Sequence, residues 1–261
     1  MLDRVQKISQ ALPKLSSAQL KSIDSLVDQF MRPYIRKEAN PQSEIITSGF
    51  LEDFGDMLRL HHCFSKGPFS KDKFEYALEE AFKMSGRSSL LAPAGNPTFD
   101  LTVDGLKYSL KTEAAKNVNA QKIHISKFME LGKGLWEDKL EHLIGLRQSF
   151  LTRLSQCDKI LTLRVLRKSP WTYELVEIPV SLLNKASEGN LRMNLESRQM
   201  PKPGYCDVYE NGYLLFQLYF DGGTERKLQI KNLQKNLCTV HATWEFDITP
   251  VLPESEDVQS K

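Results

Sequence analysis

Apolar residues recur at helical spacing in three parts of the chain. The first run follows Ser16 and Gln19, which are spaced as in a helix-capping box. The second follows Ser70, a residue type suited to capping a helix, and the third covers about 135–155. The second run predicts a core-facing stripe made of Phe74, Ala77, Leu78, Ala81 and Phe82.

Shorter runs with strand-like composition dominate the second half of the chain. Asn211-Gly212 is a typical hairpin-turn pair, and the lysine-rich stretch 114–134 has the composition of a loop. Strands are predicted at about 159–167, 172–178, 226–231 and 238–248. A hairpin and further strands interleaved with helices favour an α/β fold with a mixed central sheet flanked by helices.

Three regions of the chain differ in character. Residues 1–40 are predicted to form an N-terminal helical segment that ends in a polar linker. Residues 41–250 form the main domain, and 251–261 are predicted to be a disordered tail. A length of 261 residues with 41% apolar content is enough to build a full-sized core.

Charge and cysteine usage exclude several classes of protein. Thirty-five basic and 33 acidic residues give a net charge of +2, which argues against a purely electrostatic DNA binder but permits a locally basic cleft. The four cysteines include no C-x₂-C pair, so neither a zinc ribbon nor a disulfide framework is indicated. Without a signal-like start or an apolar stretch of bilayer length, we expect a soluble, cytoplasmic protein.

The segment 99–113 carries the most informative pattern. Asp104-Gly105 predicts a two-residue hairpin turn, because both residues tolerate a positive φ. Side chains alternate along strands, so this turn fixes which residues share a face. The apolar face takes Phe99, Leu101, Val103, Leu106, Tyr108 and Leu110. The polar face takes Asp100, Ser109, Lys111 and Glu113.

This polar stripe has two interpretations. Acidic residues and lysines are common on exposed strand faces, so the stripe can be a solvated surface. Alternatively, it can support metal-dependent hydrolysis of a phosphodiester. Asp100 and a second carboxylate would then bind Mg²⁺, and Lys111 would orient or help deprotonate the attacking water and offset charge on the phosphate.

An aspartate followed on the next strand by a residue-x-lysine sequence resembles the catalytic hairpin of the PD-(D/E)XK nucleases. Here the proline is Pro97, the aspartate is Asp100 and the lysine is Lys111. Ser109 stands where the second acidic residue usually stands, and serine is a poor metal ligand. Some restriction enzymes of this superfamily share the replacement and take the missing carboxylate from elsewhere.

The resemblance leaves two candidates for the missing carboxylate. Glu75 lies on the helix that precedes the hairpin, where such nucleases often carry a glutamate of the metal site. It can also be a solvated flank of its helix, beside Glu79 and Glu80. Glu113 lies on the catalytic strand itself.

Longer motifs make the resemblance narrower. They are DFGDMLRLHH at 53–62, DLTVDGLKYSLKTEAAKN at 100–117, MELGKG at 129–134, PKPGY at 201–205 and YFDGGTERKLQIK at 219–231. In this order, and spread over nearly three quarters of the chain, these runs resemble the SmaI family of type II restriction endonucleases.

The resemblance implies a homodimeric, Mg²⁺-dependent enzyme that recognises CCCGGG in double-stranded DNA. It implies cleavage of both strands at the centre, blunt ends with 5′-phosphates, and a cognate DNA methyltransferase in the host without a stable complex. A palindromic site needs a two-fold symmetric reader. The N-terminal helix and the helix at 135–155 are candidates for the dimer interface, although each apolar stripe can also pack on its own core.

The glycine-rich segment near residue 225 is predicted to contact the bases of DNA. Arginine can donate two hydrogen bonds to guanine and glutamate can accept one from cytosine, so Glu225 and Arg226 suit a site of G·C pairs. A surface salt bridge is the alternative. Further predicted DNA contacts are Lys227, Lys231, Lys116, Asn117, Lys127, Lys133, Lys202, His61 and His62. The loop lysines can instead be solvated, and the histidines can simply finish a helix.

Two other functions fit the same residues. A nicking or repair nuclease of the superfamily would act as a monomer on one strand. A non-catalytic DNA-binding protein would carry Ser109 as the sign of an inactive site. Metal-dependent cleavage separates the binder from both enzymes, and double-strand against single-strand products separate the enzymes from each other.

Overall fold

The computed structural model describes residues 2–132 and 136–248. Within these residues the α-helices are α1 (Leu2–Ala11), α2 (Ser17–Met31), α3 (Ser48–Phe64), α4 (Lys71–Met84), α5 (Leu140–Leu154) and α6 (Val180–Asn184). The strands are β1 (Arg36–Ala39), β2 (Ser89–Leu91), β3 (Leu101–Val103), β4 (Leu106–Glu113), β5 (Lys122–Glu130), β6 (Lys159–Lys168), β7 (Trp171–Ile178), β8 (Asn190–Met193), β9 (Gly204–Glu210), β10 (Tyr213–Asp221), β11 (Lys227–Gln234) and β12 (Thr239–Phe246).

The helix starts follow the capping signals of the sequence. The Ser16 side chain accepts a hydrogen bond from the Gln19 backbone, and the Gln19 side chain accepts one from the Ser16 backbone, so α2 opens with a full capping box. Ser70 caps α4, and the predicted stripe of that helix is buried throughout. Helix α5 begins at Leu140, later than predicted.

Seven strands form a mixed sheet in the order β1-β12-β7-β6-β4-β3-β2. Strands β4 and β6 run parallel, with Lys111 paired to Thr162, while the neighbouring pairs β3–β4 and β6–β7 are antiparallel. The prediction of a mixed α/β fold with a mixed central sheet is therefore confirmed. Part of the predicted linker is instead β1, an edge strand that pairs Arg36 with Glu245 far along the chain.

A second sheet has the order β5-β11-β10-β9-β8 and is antiparallel. Strand β5 lies inside the stretch 114–134, so the prediction of a loop there is wrong. The register of β5 against β11 shifts between Met129 and Ile125. This irregularity interrupts the alternation of buried and exposed residues. After Ile123 and Ile125, the next buried residue is Phe128 rather than residue 127.

Two apolar cores hold these layers together. One lies between α3, α4 and one face of the seven-stranded sheet, and contains Phe54, Phe74 and Tyr108. The other lies between the opposite face of that sheet, α5 and the five-stranded sheet, and contains Phe150 and Ile230. Residues 108–113 of β4 thus run between two packed layers. The predicted tail at 251–261 lies outside the described residues, and no helix that the structure describes is long and apolar enough to cross a membrane.

Candidate active site

The hairpin over β3 and β4 has the predicted turn. Asp104 and Gly105 adopt φ values of 49° and 86°, and Val103 pairs with Leu106. The backbone N–H of Asp100 then donates to the Tyr108 carbonyl over 2.8 Å. The local sequence therefore fixes Asp100 beside the start of β4.

The polar stripe of the hairpin is not a solvated surface. Ser109, Lys111 and Glu113 expose only 2%, 6% and 6% of their area, because the second core covers this side of β4. Asp100 is half-buried at the edge of the stripe. Charged groups held in a desolvated position interact more strongly than they would in water, which suits a reactive site.

Asp100 is held by cations and by the backbone. Its Oδ2 accepts a hydrogen bond from the Leu110 N–H over 2.6 Å, and its Oδ1 lies 2.8 Å from Lys71 Nζ. Lys111 Nζ lies 4.0 Å from Oδ2. Burial opposes ionisation of Asp100, but Lys111, Lys71 and the Leu110 N–H together hold the pKa of its carboxyl below the ordinary value.

Lys111 donates to the Ser109 hydroxyl over 2.9 Å, so the serine at the unusual position orients the lysine. The ammonium also lies 5.2 Å from the centre of the Phe128 ring on β5. Burial lowers the pKa of Lys111 to about 8, despite the opposing charge of Asp100. A lysine with this pKa can exchange a proton near neutral pH.

The two rival glutamates lie in different surroundings. Glu75 Oε1 is 2.7 Å from Lys71 Nζ, the same ammonium that contacts Asp100, so the Glu75 and Asp100 carboxylates converge on one cation. Glu113 instead accepts hydrogen bonds from Arg164 Nε over 2.6 Å and from the His124 N–H over 3.0 Å. The structure thus brings Glu75 to Asp100 and engages Glu113 in an internal ion pair.

A cleft of about 600 Å³ opens beside Asp100. Its charged lining residues are Lys71, Asp100, Lys111, Lys127, Glu130 and Arg153. Four cations against two carboxylates make the cleft locally basic in a chain that is almost neutral overall. A polyanion such as DNA is the class of ligand that this charge pattern favours.

Lys71 and Arg153 were missed by the sequence analysis. Lys71 stands four residues before Glu75, a spacing that puts both on one face of α4 and could have indicated the contact. Arg153 is half-buried in the last turn of α5, and burial lowers its pKa although Asp100 opposes the shift. A cation near the end of a helix is so common that the sequence gives it no distinction.

The segment with Glu225 and Arg226 borders this cleft. Lys127, which lines the cleft, donates to both Glu130 and Glu225, while Lys227 donates to Glu225 over 3.0 Å. The Glu225 side chain is therefore engaged with lysines, as the salt-bridge alternative expects. The Arg226 guanidinium lies 6.0 Å from the centre of the Trp136 ring, within reach of a cation–π contact.

The other predicted DNA contacts are scattered. Lys231 Nζ lies 3.7 Å from the centre of the Tyr219 ring on the outer face of the five-stranded sheet, and Lys202 donates to the Ser197 carbonyl over 2.6 Å. Lys116 and Asn117 lie in an exposed turn after β4. Lys133 lies outside the described residues.

The two histidines separate at the end of α3. His62 is 3% exposed, stacks on Trp171 at 3.6 Å, and bonds through Nε2 to the Tyr173 hydroxyl at 2.6 Å. Both ring nitrogens of His62 have hydrogen-bond partners inside the protein and the side chain is buried, which favours the alternative that His62 finishes the helix over a contact with DNA. His61 stays half-buried and bonds to the Gly67 carbonyl and to Lys73.

The residues present fit a divalent metal ion in one respect. Asp100 and Glu75 direct hard carboxylate oxygens to a common point, and Mg²⁺ is often held by one or two carboxylates together with water and substrate phosphate. Among the residues that the structure describes, no group of three or more His, Cys, Asp or Glu side chains is placed to hold a metal. Water molecules and substrate oxygens would therefore complete the coordination of an ion held by these two carboxylates.

Comparison with known proteins identifies the family of this chain. Residues 8–246 match the family model of SmaI, described as a type II site-specific deoxyribonuclease. The chain is 45% identical over 211 residues to the type II restriction enzyme SmaI of Serratia marcescens, which covers 79% of this chain and 83% of that enzyme. No solved structure matches the chain. By the extent of both matches, the chain belongs to the SmaI family of type II site-specific deoxyribonucleases.

Proposed function

We propose that this restriction endonuclease makes Mg²⁺-dependent double-strand cuts in DNA at CCCGGG and leaves blunt ends with 5′-phosphates. The observation that carries the chemistry is that Lys71 joins the Asp100 and Glu75 carboxylates while Lys111 lies 4.0 Å from Asp100, in a basic cleft lined by Asp100 and both lysines. The sequence specificity rests on the likeness to the Serratia marcescens enzyme and on the G·C-suited pair Glu225 and Arg226.

In this proposal Asp100 and Glu75 hold Mg²⁺. The bound ion supplies a water of lowered pKa and positive charge for the phosphate. Lys111 takes a proton from the attacking water or donates to a phosphate oxygen, and its pKa of about 8 permits both. Ser109 keeps the Lys111 ammonium pointed into the cleft through their 2.9 Å hydrogen bond.

The remaining parts of the proposal concern DNA and assembly. Arg226 donates hydrogen bonds to guanine, and Glu225 accepts one from cytosine. When DNA binds, Lys127 and Lys227 exchange their contacts with Glu225 for contacts with phosphates. The core is of the PD-(D/E)XK type, supported by the Asp100 hairpin and the mixed sheet. Because the site is palindromic, the enzyme acts as a C2 homodimer. It works in the cytoplasm beside a cognate methyltransferase that protects host DNA.

Digestion of a plasmid that carries a single CCCGGG site tests the proposal. Wild-type protein with Mg²⁺ should give blunt linear DNA, and EDTA should abolish the product. Asp100→Ala and Lys111→Ala should both be inactive. Asp104→Asn, which alters a carboxylate of the same hairpin that contacts Arg87 instead of the cleft, should cut normally.

The products also separate the alternatives. Nicked circles that never become linear would indicate a nicking or repair nuclease. An intact plasmid together with a gel shift on the same DNA would indicate a non-catalytic binder. Cutting of a plasmid that lacks CCCGGG would overturn the specificity while leaving the nuclease intact.

A further inference from the structure

The ammonium of Lys71 joins two carboxylates that come from different elements. Its Nζ lies 2.8 Å from Asp100 Oδ1 at the entry to the hairpin and 2.7 Å from Glu75 Oε1 on α4. Lysine is a cation at neutral pH, and two carboxylates within hydrogen-bond distance favour that form. One positive charge therefore occupies the point on which both acidic groups converge.

Helix stability does not account for a lysine at this place. Ser70 caps α4, so Lys71 lies in the first turn, where the helix dipole disfavours a cation. A lysine that precedes a glutamate by four residues is also the weaker order of such a pair. Glu79 and Lys83 on the same helix have the favourable order and lie 2.8 Å apart. The position of Lys71 is explained by Asp100, across the cleft, rather than by its own helix.

We propose that Lys71 is an internal competitor of the divalent ion: it holds the Asp100 and Glu75 carboxylates together in the free enzyme and leaves when Mg²⁺ binds. The inference rests on the proposed function, since it assigns those carboxylates to the metal. An ammonium and a metal ion need the same oxygens and repel each other, so binding of one excludes the other.

The environment of Lys71 allows the ammonium to leave. Its side chain is 42% exposed at the cleft, and its flexible four-carbon stem can turn outward without any movement of α4. Two contacts of a partly exposed ion pair are each weak, so displacement costs little and the effect on metal affinity is moderate. Lys111 is 7% exposed on the same scale and stays in place.

Removing the competitor should strengthen metal binding. The readout is the Mg²⁺ concentration that gives half of the maximal rise in Tm, measured on the free enzyme without DNA. In Lys71→Met this concentration should fall about five- to tenfold, because two weak ion-pair contacts no longer oppose the metal. Lys71→Arg keeps the charge and should stay near wild type. Lys83→Met removes the matched lysine of the Glu79 pair and should leave the midpoint unchanged.

The outcomes distinguish this inference from the proposed function. If wild type and Lys83→Met respond to Mg²⁺ but Lys71→Met responds at the same or a higher concentration, Lys71 is not a competitor. If Asp100→Asn responds to Mg²⁺ as wild type does, or if no variant responds, the proposed metal site itself is wrong and the inference falls with it. If Lys71→Met only destabilised the fold, Tm without Mg²⁺ would fall while the Mg²⁺ midpoint stayed at the wild-type value. That result would also contradict the role of Lys71 as a competitor.

Discussion

Glu113 and Arg164 form an ion pair inside the protein, with Arg164 Nε 2.6 Å from Glu113 Oε2. Arg164 is fully buried and also contacts Glu174. The pair ties β4 to β6, where Glu113 and Arg164 are register partners of the parallel ladder. Glu113 therefore stabilises the contact between two strands, and Glu75 does not. The sequence alone made both glutamates candidates for the second metal ligand.

The two glutamates should respond differently to the same change. Glu113→Gln leaves the buried guanidinium short of a negative partner, so the free energy of unfolding should fall by about 3 kcal/mol. Glu75→Gln alters a partly exposed side chain, so its stability should stay within about 0.5 kcal/mol of wild type. Mg²⁺-dependent cleavage by Glu75→Gln should nevertheless fall by at least about tenfold.

Urea unfolding and plasmid cleavage on the same preparations check this pair of variants. A Glu113→Gln protein that is as stable as wild type but inactive, beside an active Glu75→Gln protein, would assign the metal ligand to Glu113 instead.

Arg153 should contribute to DNA binding through charge. Its guanidinium lines the cleft beside Asp100 and Lys111, and arginine can hold a phosphate through two hydrogen bonds. Arg153→Ala should weaken binding to specific and unrelated DNA alike and reduce the salt slope of log K by about 1. Arg153→Lys should retain most of that slope.

Fluorescence anisotropy at several salt concentrations, with EDTA present to prevent cutting, measures these slopes. Arg147→Ala is the control on the same helix, since Arg147 donates to the Gly189 carbonyl away from the cleft. Equal slopes in wild type and Arg153→Ala would mean that Arg153 meets no phosphate.

The parts of the site that could be predicted from the sequence depend on neighbours along the chain. The Asp104-Gly105 turn and the stripe of α4 are local, and both are as expected. Strand β5 was missed because a register irregularity breaks its alternation and lysines surround its apolar residues. Arg153 was missed because only the packing of α5 against the hairpin side of the sheet brings it to Asp100.

His62 illustrates the same limit. The sequence places His61 and His62 together at a helix end, but which of them is buried is decided by Trp171 and Tyr173 on β7. Burial keeps the imidazole neutral, and because the Ser65 carbonyl can only accept, Nδ1 carries the proton and Nε2 accepts from the Tyr173 hydroxyl. Burial lowers the pKa of His62 to about 3.

This burial predicts a loss of stability in acid. As the pH falls below 6.5, His62 becomes protonated in the unfolded chain, whereas in the folded protein it stays neutral down to about pH 3. The free energy of unfolding should therefore decline with falling pH, by at most about 1.4 kcal/mol per unit from this group, and the contribution is complete only above pH 6.5. His62→Gln should be less stable at pH 7.5 but should lose less between pH 6.5 and 5.

Chemical denaturation across this pH range provides the comparison. His142→Gln, at a partly exposed position at the start of α5, is the matched control and should decline in parallel with wild type. If His62→Gln also declines in parallel with wild type, the buried imidazole is not the group responsible.

The turn that carries Arg226 depends on a glycine. A Cβ at Gly222 would lie 2.0 Å from the Pro201 carbonyl oxygen, which is backbone and cannot rotate away. At the next residue, Gly223, the nearest atoms are side-chain ends of Asp221 at 3.2 Å and Gln199 at 3.5 Å. Gly222 therefore permits a close approach of two chain segments. No backbone contact of this kind requires a glycine at position 223.

Gly222→Ala should push the Arg226 segment away from Pro201, lower the free energy of unfolding by about 1 to 3 kcal/mol through overpacking, and reduce the preference for the specific site. Gly223→Ala should be close to wild type in both respects. The measurements are urea unfolding and the ratio of cleavage rates on CCCGGG and on a site with one base pair changed. A Gly222→Ala enzyme with normal stability and an unchanged ratio would separate this segment from base reading.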